Sequence, residues 1–393
     1  MVAKFQTASP VSSDDHICKK DYLSSFWRET FLKAEKFKTS DIHIKQSKAA
    51  IKVIFRVNGE LQEVSQFEKD KPMRLALTNR LKQIANADLS VQDETQSRSF
   101  SLELTNCRYR LEINSTIFGE YFVLRVIRED DVPSLKNCGL DEKTLNDLLS
   151  AIHNKQGCIL FTGPTGSGKS TTMQACLMEI DREKKNVIAL ENPVERPLPG
   201  VSHTEITHKV SWKKAIKSAM RLDPDVILIG EIRDQESASL ALEAAQTGHL
   251  VISTLHTNDV AGTIDRLCDK ESGFGIERRL VAENLLFVAA QRLPQLLCPV
   301  CRKQSENPSF YHRGNGCETC LKGGKGTAGI SGRRPVIEYT FKPDPSSILK
   351  FDKNNFSQTQ LSASLYGEHE KLARKGEIDC DELANWANHK ELS

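Results

Sequence analysis

A glycine-rich loop that ends in lysine and serine is the segment of this sequence with the clearest chemistry. It reads GPTGSGKST over residues 163–171, after the apolar run Cys158–Thr162 and before a stretch with helical spacing. Glycines allow successive backbone N–H groups to surround a phosphate, and the N-terminus of the following helix adds positive charge. We therefore predict a nucleotide site with Lys169 on the β- and γ-phosphates and Ser170 on Mg²⁺. The predicted nucleotide contacts are Gly163, Pro164, Thr165, Gly166, Ser167, Gly168, Lys169, Ser170 and Thr171.

Polar residues with catalytic potential follow three further apolar runs. These runs are Val187–Leu190, Asp225–Ile229 and Leu250–Thr254. In parallel α/β folds, ligands bind at the carboxyl ends of the strands, so the residues after each run should meet there. Glu231 is predicted to hold Mg²⁺ through water, and Glu191 or Glu195 to accept a proton from an attacking water molecule. His256 would be placed to sense the γ-phosphate, although a lone histidine is more often structural.

Four cysteines form the second chemical pattern. Cys298-x₂-Cys301 and Cys317-x₂-Cys320 are separated by fifteen residues. Two such pairs supply four thiolates for a closed tetrahedral Zn²⁺ site, which indicates a structural and not a catalytic metal. Metal ligation could supply about 10 kcal/mol of folding free energy to a segment with few core-forming residues. The remaining cysteines are predicted to be inert thiols: Cys18, Cys107, Cys138, Cys158, Cys176, Cys268 and Cys380.

The first third of the chain has the pattern of a small α/β domain over residues 20–128, after a flexible leader at 1–19. Helical spacing covers residues 21–38 and 72–88, and Asn58-Gly59 predicts a tight turn. Alternating or β-branched runs predict strands of a small mixed sheet. These strands are 41–45, 51–57, 100–104, 109–113 and 121–127.

The rest of the chain alternates apolar runs with helical stretches, which predicts βαβ units and a parallel sheet covered on both faces. A polar linker at 129–140 precedes this domain, which we place at 141–297. The tetracysteine module follows at 298–335, and a helical C-terminal region at 336–393 contains a helix near 366–388.

Composition limits the class of protein. The 393 residues include 54 Lys and Arg against 52 Asp and Glu, giving a net charge of +2, with 39% hydrophobic residues. These values are ordinary for a globular protein and give no support to nucleic-acid binding. The sequence has neither an apolar run long enough to span a membrane nor a secretory signal, so we expect a cytoplasmic protein. An odd number of cysteines in that compartment favours metal binding over disulfides.

Four segments together resemble the secretion ATPases that drive type II secretion and type IV pilus assembly. GPTGSGKSTT resembles their Walker A motif, ALENPVE the aspartate box, RLDPDVILIGEIRD the Walker B motif and GHLVISTLHTND the histidine box. The resemblance implies a RecA-like motor domain that uses ATP and Mg²⁺ as a homo-hexamer. It also implies that Glu195 is the catalytic general base, Glu231 the Walker B glutamate and His256 the last histidine of its box.

The N-terminal domain carries two further elements of this family. Residues 40–44 (SDIHI) and the stretch RLEINSTIFGEYFVLR between Arg110 and Arg125 resemble its N-terminal motifs. The resemblance implies that these two arginines reach the nucleotide phosphates, to which a guanidinium fork is well matched. Arg221 likewise matches a family arginine near the phosphates, whereas Lys217 replaces another.

Several positions depart from the family pattern. Asn192 stands where the aspartate box usually has Asp, Glu112 and Ser115 replace the usual Ser and Pro, and Lys45 replaces Glu. These departures indicate a divergent branch, such as a type IVb or conjugative thin-pilus system. The cysteine module occurs in assembly-type members, which favours extension over retraction. We also expect either a shorter variant or a trimmed chain, because many relatives carry an extra N-terminal domain that binds a membrane-anchored partner.

The resemblance therefore implies an ATP-hydrolysing motor that acts on an inner-membrane platform protein of a pilus or secretion system. It would lie at the periphery of the inner membrane through its partners, with a membrane-anchored cytoplasmic adaptor as a further candidate. Two alternatives remain at this point. Asn192 suggests a scaffold that binds nucleotide without hydrolysing it. A nucleic-acid translocase or DNA-uptake ATPase is disfavoured by the near-neutral charge and the lack of an aromatic and basic stacking platform.

Overall fold

The computed structural model divides the chain into two compact units, Met1–Asp130 and Asp131–Ser393. It describes residues 15–68, 70–91, 94–128, 132–207, 209–321, 326–352 and 361–384, with side chains from residue 22 onward. Helix α1 (Asp15–Lys36) begins inside the predicted leader, whose residues 1–14 lie outside the described part of the chain.

A six-stranded sheet forms the centre of the first unit. Its strands are β1 (Asp41–Gln46), β2 (Ile51–Val57), β3 (Glu60–Phe67), β4 (Gln96–Ser101), β5 (Cys107–Thr116) and β6 (Gly119–Arg128). They lie in the order β3-β2-β1-β6-β5-β4, and every neighbouring pair is antiparallel, so the expectation of a mixed sheet was wrong. Strand β3 was not predicted because its sequence ELQEVSQF is mostly polar, as suits an edge strand with a single buried residue.

Helices α1 and α2 (Lys71–Ile84) pack together and contribute to a core rich in aromatic side chains. The indole of Trp27 is buried and donates a hydrogen bond to the carbonyl of Leu77 at 2.9 Å, which joins the two helices. Phe31 of α1 lies 4.8 Å from Tyr109 of β5, centroid to centroid, which joins the first helix to the sheet. The burial of these large rings supplies much of the driving force for folding this unit.

A buried ion pair links α2 to the start of β6. The ammonium of Lys82 lies 2.5 Å from a carboxylate oxygen of Glu120, and the two side chains are only 1% and 10% exposed. Lys82 also donates to the carbonyl of Val91 at 2.9 Å. Removal of one partner from such a pair leaves the other charge buried and uncompensated.

We expect Lys82→Met to lower the free energy of unfolding of the first unit by about 3–5 kcal/mol, because Glu120 would lose its counter-ion. Hydrogen–deuterium exchange of the β5 and β6 amides would measure this change. Lys52→Met is the matched control, since its pair with Glu63 is exposed and should contribute less than about 1 kcal/mol. Equal exchange in the two variants would contradict the prediction.

Within the described residues, the second unit contains eleven strands, nine α-helices with both ends described, and a further helical stretch at residues 380–384. The strands are β7 (Gly157–Thr162), β8 (Val187–Glu191), β9 (Val201–Glu205), β10 (Val226–Ile229), β11 (Leu250–Leu255), β12 (Leu285–Arg292), β13 (Gln295–Leu297), β14 (Lys303–Gln304), β15 (Tyr311–His312), β16 (Ile330–Arg333) and β17 (Val336–Phe341). The helices are α3 (Glu142–Ile152), α4 (Lys169–Met178), α5 (Trp212–Ala219), α6 (Gln235–Gln246), α7 (Val260–Cys268), α8 (Arg278–Asn284), α9 (Glu318–Leu321), α10 (Pro345–Leu349) and α11 (Leu365–Arg374).

Seven of these strands form the main sheet, in the order β17-β12-β7-β11-β10-β8-β9. All neighbours are parallel except β17, which pairs antiparallel with β12. Every residue of β7, β8, β10 and β11 is buried, and apolar clusters cover both faces of the sheet. The predicted α/β class and the four predicted strands are confirmed. Strands β9, β12 and β17 were missed, and β9 (VSHTE) is mostly polar.

The cysteine-rich segment folds around two short antiparallel pairs, β13 with β16 and β14 with β15. The predicted helix near 366–388 is interrupted: α11 ends at Arg374 because Gly376 follows it with a φ of +66°, a conformation that stops a helix, and helical backbone resumes at residues 380–384. Residues 385–388 of the predicted helix lie outside the described part. Within the described residues, every helix is too short or too polar to cross a bilayer.

Candidate active site

The predicted phosphate loop connects the carboxyl end of β7 to the first turn of α4. Gly163 has a φ of +137°, and a Cβ there would lie 2.4 Å from the carbonyl oxygen of Gln291 on β12. Gly166, with a φ of +81°, has open space where a Cβ would lie. The loop is therefore packed against the sheet at its base and open at its crest, where Pro164, Thr165 and Gly166 are exposed.

Lys169 lies folded into this loop. Its ammonium donates hydrogen bonds to the carbonyls of Gly163 at 2.6 Å and Pro164 at 3.0 Å, and the side chain is buried. Burial and, to a smaller extent, the charge of Arg292 lower the pKa of Lys169 to about 8, against the opposing effect of the Glu231 carboxylate. Ser170 and Thr171 follow in the first turn of α4, where the Ser170 hydroxyl is exposed.

Gln291 is a site residue that the sequence interpretation missed. From the end of β12, its amide nitrogen donates to the carbonyl of Ser167 at 2.8 Å, and its amide oxygen accepts from the hydroxyl of Thr172 at 3.0 Å. Gln291 is 1% exposed, so water cannot replace either bond. Gln291 follows the apolar run LLFVAA, and a polar residue in that position could have indicated a site residue at the end of a strand, but strand β12 itself was not predicted.

Threonine side chains hold the segment after β11 beside the end of the phosphate-loop strand β7. The hydroxyl of Thr162, the last residue of β7, accepts from the backbone N–H of Thr257 at 2.8 Å and contacts the Thr257 hydroxyl at 2.7 Å. Thr257 follows His256, so the histidine is held next to the end of the phosphate-loop strand. The sequence predicted His256 at this edge because it follows the apolar run Leu250–Thr254.

Glu231 and His256 meet at the carboxyl edge of the sheet. A carboxylate oxygen of Glu231 lies 3.6 Å from Nε2 of His256, and the other accepts a hydrogen bond from Arg233. The hydroxyl of Thr254 donates to the carbonyl of Gly230 at 2.7 Å, which fixes the backbone that carries Glu231. Arg233 was not predicted as a site residue, although it lies only two positions after Glu231 in GEIRD.

The structure distinguishes the two glutamates that follow β8. Glu191 is buried, and its carboxylate lies 2.9 Å from Nδ1 of His203 on β9. Glu195 is partly exposed in the loop beyond it. The neighbouring Arg196 lies 3.4 Å from the amide oxygen of Gln174 on α4, so this loop contacts the helix that follows the phosphate loop. Glu191 is thus engaged in a buried contact at the end of its strand.

The structure does not bring Arg221 to this edge of the sheet. Arg221 lies between α5 and β10, before the amino end of the strand, and its guanidinium donates to the carbonyl of Lys217 at 3.1 Å. The adjacent Leu222 accepts through its carbonyl from Asn186, which precedes the amino end of β8. Arg221 therefore lies at the edge opposite Glu231, separated from it by the length of β10.

In the first unit, Arg110 and Arg125 are direct neighbours across strands β5 and β6. The guanidinium of Arg110 lies 3.0 Å from Glu112, and that of Arg125 lies 3.6 Å from Asp41. Both side chains are partly exposed. Two like charges opposite each other destabilise a sheet, and Glu112 and Asp41 offset that repulsion here. The role of the two arginines in binding phosphate therefore stays a prediction.

The four clustered cysteines are brought together as predicted. Their sulfur atoms all lie within 4.8 Å of one another, with Cys298 3.7 Å from Cys317, and Cys320 3.8 Å from both Cys301 and Cys317. Four thiolates at about 2.3 Å from a tetrahedral zinc ion would be about 3.8 Å apart. A hydrogen bond from the backbone N–H of Cys320 lowers the pKa of Cys317 to about 6, against the opposing effect of burial. The donor set fits zinc.

Comparison with known proteins shows a family match over residues 18–384, to the family described as type II/IV secretion system protein. The chain is 38% identical to the putative type II secretion system protein E of Escherichia coli over 357 residues, which are 86% of this chain and 70% of that protein. It is 36% identical to type II secretion system protein E of Dickeya dadantii over 316 residues, 76% of this chain and 62% of that protein.

A third relative is the type IV pilus assembly ATPase PilB of Myxococcus xanthus, 37% identical over 282 residues, 70% of this chain and 48% of that protein. The chain thus spans less than two thirds of the Dickeya and Myxococcus relatives. Among solved structures, the pilus retraction motor PilT with bound ADP has a TM-score of 0.65 at 25% identity, with 91% of this chain and 95% of PilT covered. The Legionella pneumophila ATPase DotB shares the fold, with a TM-score of 0.70 at 22% identity and coverage of 93% and 96%.

We expect Gln291→Ala to lower the free energy of unfolding of the second unit by about 1–3 kcal/mol, because the carbonyl of Ser167 would be buried without a donor. Urea unfolding followed by circular dichroism would measure the change. Gln246→Ala, at an exposed position at the end of α6, is the control and should change stability by less than about 0.5 kcal/mol. If the two variants were equally stable, Gln291 would not brace the loop.

Proposed function

Because this chain belongs to the type II/IV secretion system protein family, we propose that it binds Mg-ATP in the phosphate loop and hydrolyses it. We further propose that hydrolysis powers assembly of a type IV pilus or a type II secretion pseudopilus. The observation that carries the proposal is the position of Lys169, Glu231 and His256 in the segments that follow the carboxyl ends of three neighbouring strands of the sheet, β7, β10 and β11. Parallel α/β proteins bind their ligands at this edge.

The phosphate loop fits a triphosphate. Its crest at Gly166 leaves space for an anion, and the hydroxyl of Ser167 is buried without a hydrogen-bond partner in the described part of the chain. Lys169 would exchange its two carbonyl acceptors for phosphate oxygens, which are stronger acceptors because they are charged. The exposed hydroxyl of Ser170 and the carboxylate of Glu231 offer the oxygen donors that Mg²⁺ prefers. When bound, the ion would neutralise charge on the β- and γ-phosphates.

Glu195 is the better candidate for the general base. In hydrolysis, a water oxygen attacks the γ-phosphorus, the bond to the β-phosphate oxygen breaks, and the water proton passes to a carboxylate. Glu191 is buried against His203, whereas Glu195 lies further along the loop and is partly exposed. His256, held by Thr257 and in contact with Glu231, would respond to the γ-phosphate.

Arg110 and Arg125 would contribute permanent positive charge to the phosphates. Their opposed guanidinium groups form a surface suited to a multiply charged anion. Arg221 is not part of the site proposed for a single chain, because it lies at the opposite edge of the sheet.

We propose that the motor works as a homo-hexamer on an inner-membrane platform protein, as a cytoplasmic protein held at the membrane by its partners. A membrane-anchored adaptor is a further candidate partner, and we expect no nucleic-acid substrate. Support comes from relatives named for type II secretion and pilus assembly and from the zinc-fitting cysteine cluster. That cluster is the basis for proposing extension and not retraction.

We expect Glu231→Gln and Glu195→Gln to bind ATP with affinity near that of the parent but to release phosphate at least about 100-fold more slowly, because each loses a charged carboxylate needed in hydrolysis. Lys169→Ala should lose nucleotide binding itself. Phosphate release and binding of a fluorescent ATP analogue would be measured with Mg²⁺ present.

Glu243→Gln, exposed on α6, is the matched control and should leave both measurements unchanged. Undiminished phosphate release in Glu231→Gln would contradict the proposed motor. Tight ATP binding with no turnover in the parent would instead identify the non-hydrolysing scaffold to which Asn192 points.

We expect Cys317→Ser to lose one zinc equivalent per chain relative to the parent and to become less soluble, because the closed cluster would lack a thiolate. Nucleotide affinity should change less, since the phosphate loop belongs to the separate β7–α4 segment. Elemental analysis measures zinc, with Cys138→Ser, outside the cluster, as the control. Unchanged zinc in Cys317→Ser would show that the cluster is not a metal site.

A further inference from the structure

A second group of metal-ligating side chains lies in the same part of the fold as the cysteine cluster. His312 of β15 faces three consecutive residues from beyond α11: Asp379, Cys380 and Asp381. Nδ1 of His312 lies 3.4 Å from an oxygen of Asp379, 3.5 Å from an oxygen of Asp381 and 3.3 Å from the sulfur of Cys380. All four donor atoms lie within 4.8 Å of one another.

The two nitrogen–oxygen separations match a shared ion better than direct hydrogen bonds, whereas the sulfur of Cys380 lies within hydrogen-bonding distance of both imidazole nitrogens, at 3.3 Å from Nδ1 and 3.5 Å from Nε2. A good N–H···O bond measures about 2.7–3.2 Å, so both oxygens of this group are beyond that range. Around a tetrahedral zinc ion with ordinary bond lengths, nitrogen and oxygen ligands are about 3.4 Å apart, and nitrogen and sulfur ligands about 3.5 Å apart. The imidazole nitrogen of His312 has its three neighbours close to these distances.

Hydrogen bonds unrelated to any ion hold the two segments in place. The backbone N–H of Arg313 donates to Asp379 at 2.7 Å, and the N–H of Asp381 donates to the other oxygen of Asp379 at 3.0 Å. Nearby, the N–H of Leu297 donates to the carbonyl of Glu377 at 2.7 Å. The Asp379 carboxylate is thus positioned by backbone N–H groups before metal binding, which reduces the entropic cost of forming a site.

We propose that His312, Asp379, Cys380 and Asp381 bind a second divalent transition-metal ion, separate from that of the tetracysteine cluster. One imidazole, one thiolate and two carboxylates form a mixed donor set that suits zinc, with cobalt(II) as its spectroscopic substitute. The Asp381 side chain is 80% exposed and that of His312 is 40% exposed, so water and chelators have access. This ion exchanges more readily than the one held by four cysteines, and it fastens the C-terminal segment to the β14–β15 pair.

Metal content of the full-length chain tests the proposal without any measurement of activity. The parent should contain two zinc ions per chain, of which a mild chelator removes one first. His312→Gln and Cys380→Ser should each contain one ion that resists the chelator. His153→Gln, at the exposed end of α3, is the control and should retain two.

Asp381→Asn provides a test in which misfolding of the variant is not a concern, because the Asp381 side chain is 80% exposed. Removal of this exposed ligand should weaken cobalt(II) binding at the second site by at least about tenfold, while circular dichroism stays unchanged. A parent with one ion that His312→Gln leaves in place would overturn the proposal. The group would then be an ion pair between His312 and its carboxylates, and Asp381→Asn would not change cobalt(II) binding.

Discussion

The parallel pairing of β8, β10, β11 and β7 is the constraint on which the candidate site depends. Ile229 lies beside Leu190 on one side and Ser253 on the other, so the loops that follow these strands begin at the same level. Glu231 comes two residues after that level and His256 three residues after Ser253, which explains their contact. A slip of one residue in any strand would turn its side chains to the opposite face and displace the segment that follows it along the sheet edge. The fully buried strands therefore fix the positions of Glu231 and His256, which lie beyond their ends.

The sequence was most informative where local patterns decide the outcome. The phosphate loop, the apolar strands and the cysteine pairs each follow from short-range spacing, and the structure contains all of them. Contacts between distant segments could not be predicted in this way. Gln291 reaches the loop across more than a hundred residues, and β12 and β17 are recognised only once they pair. Cys380 was predicted to be an inert thiol, yet it contacts His312, because nothing in the local sequence indicates that the two segments meet.

The motif-like stretch from Arg110 to Arg125 combines two different roles. Its two arginines are partly exposed on neighbouring strands, where each has a carboxylate nearby. Glu120, within the same stretch, is instead buried against Lys82 of α2 and supports the fold. Resemblance alone cannot separate these roles, because it treats every position of a motif alike. The exposure of the side chains separates the two roles: the buried Glu120 can affect a ligand only through its neighbours, whereas the two arginines can contact one directly.

The hydrogen bond between Leu297 and Glu377 has a consequence for how the protein is made. Translation produces Leu297 of β13 some eighty residues before Glu377, whose carbonyl accepts its hydrogen bond. Because domains fold as units while the chain emerges N-terminal end first, the phosphate-loop segment is available to fold well before the cysteine-rich segment receives its last partner. A chain that ends before residue 377 would therefore leave the N–H of Leu297 in β13 without this backbone acceptor.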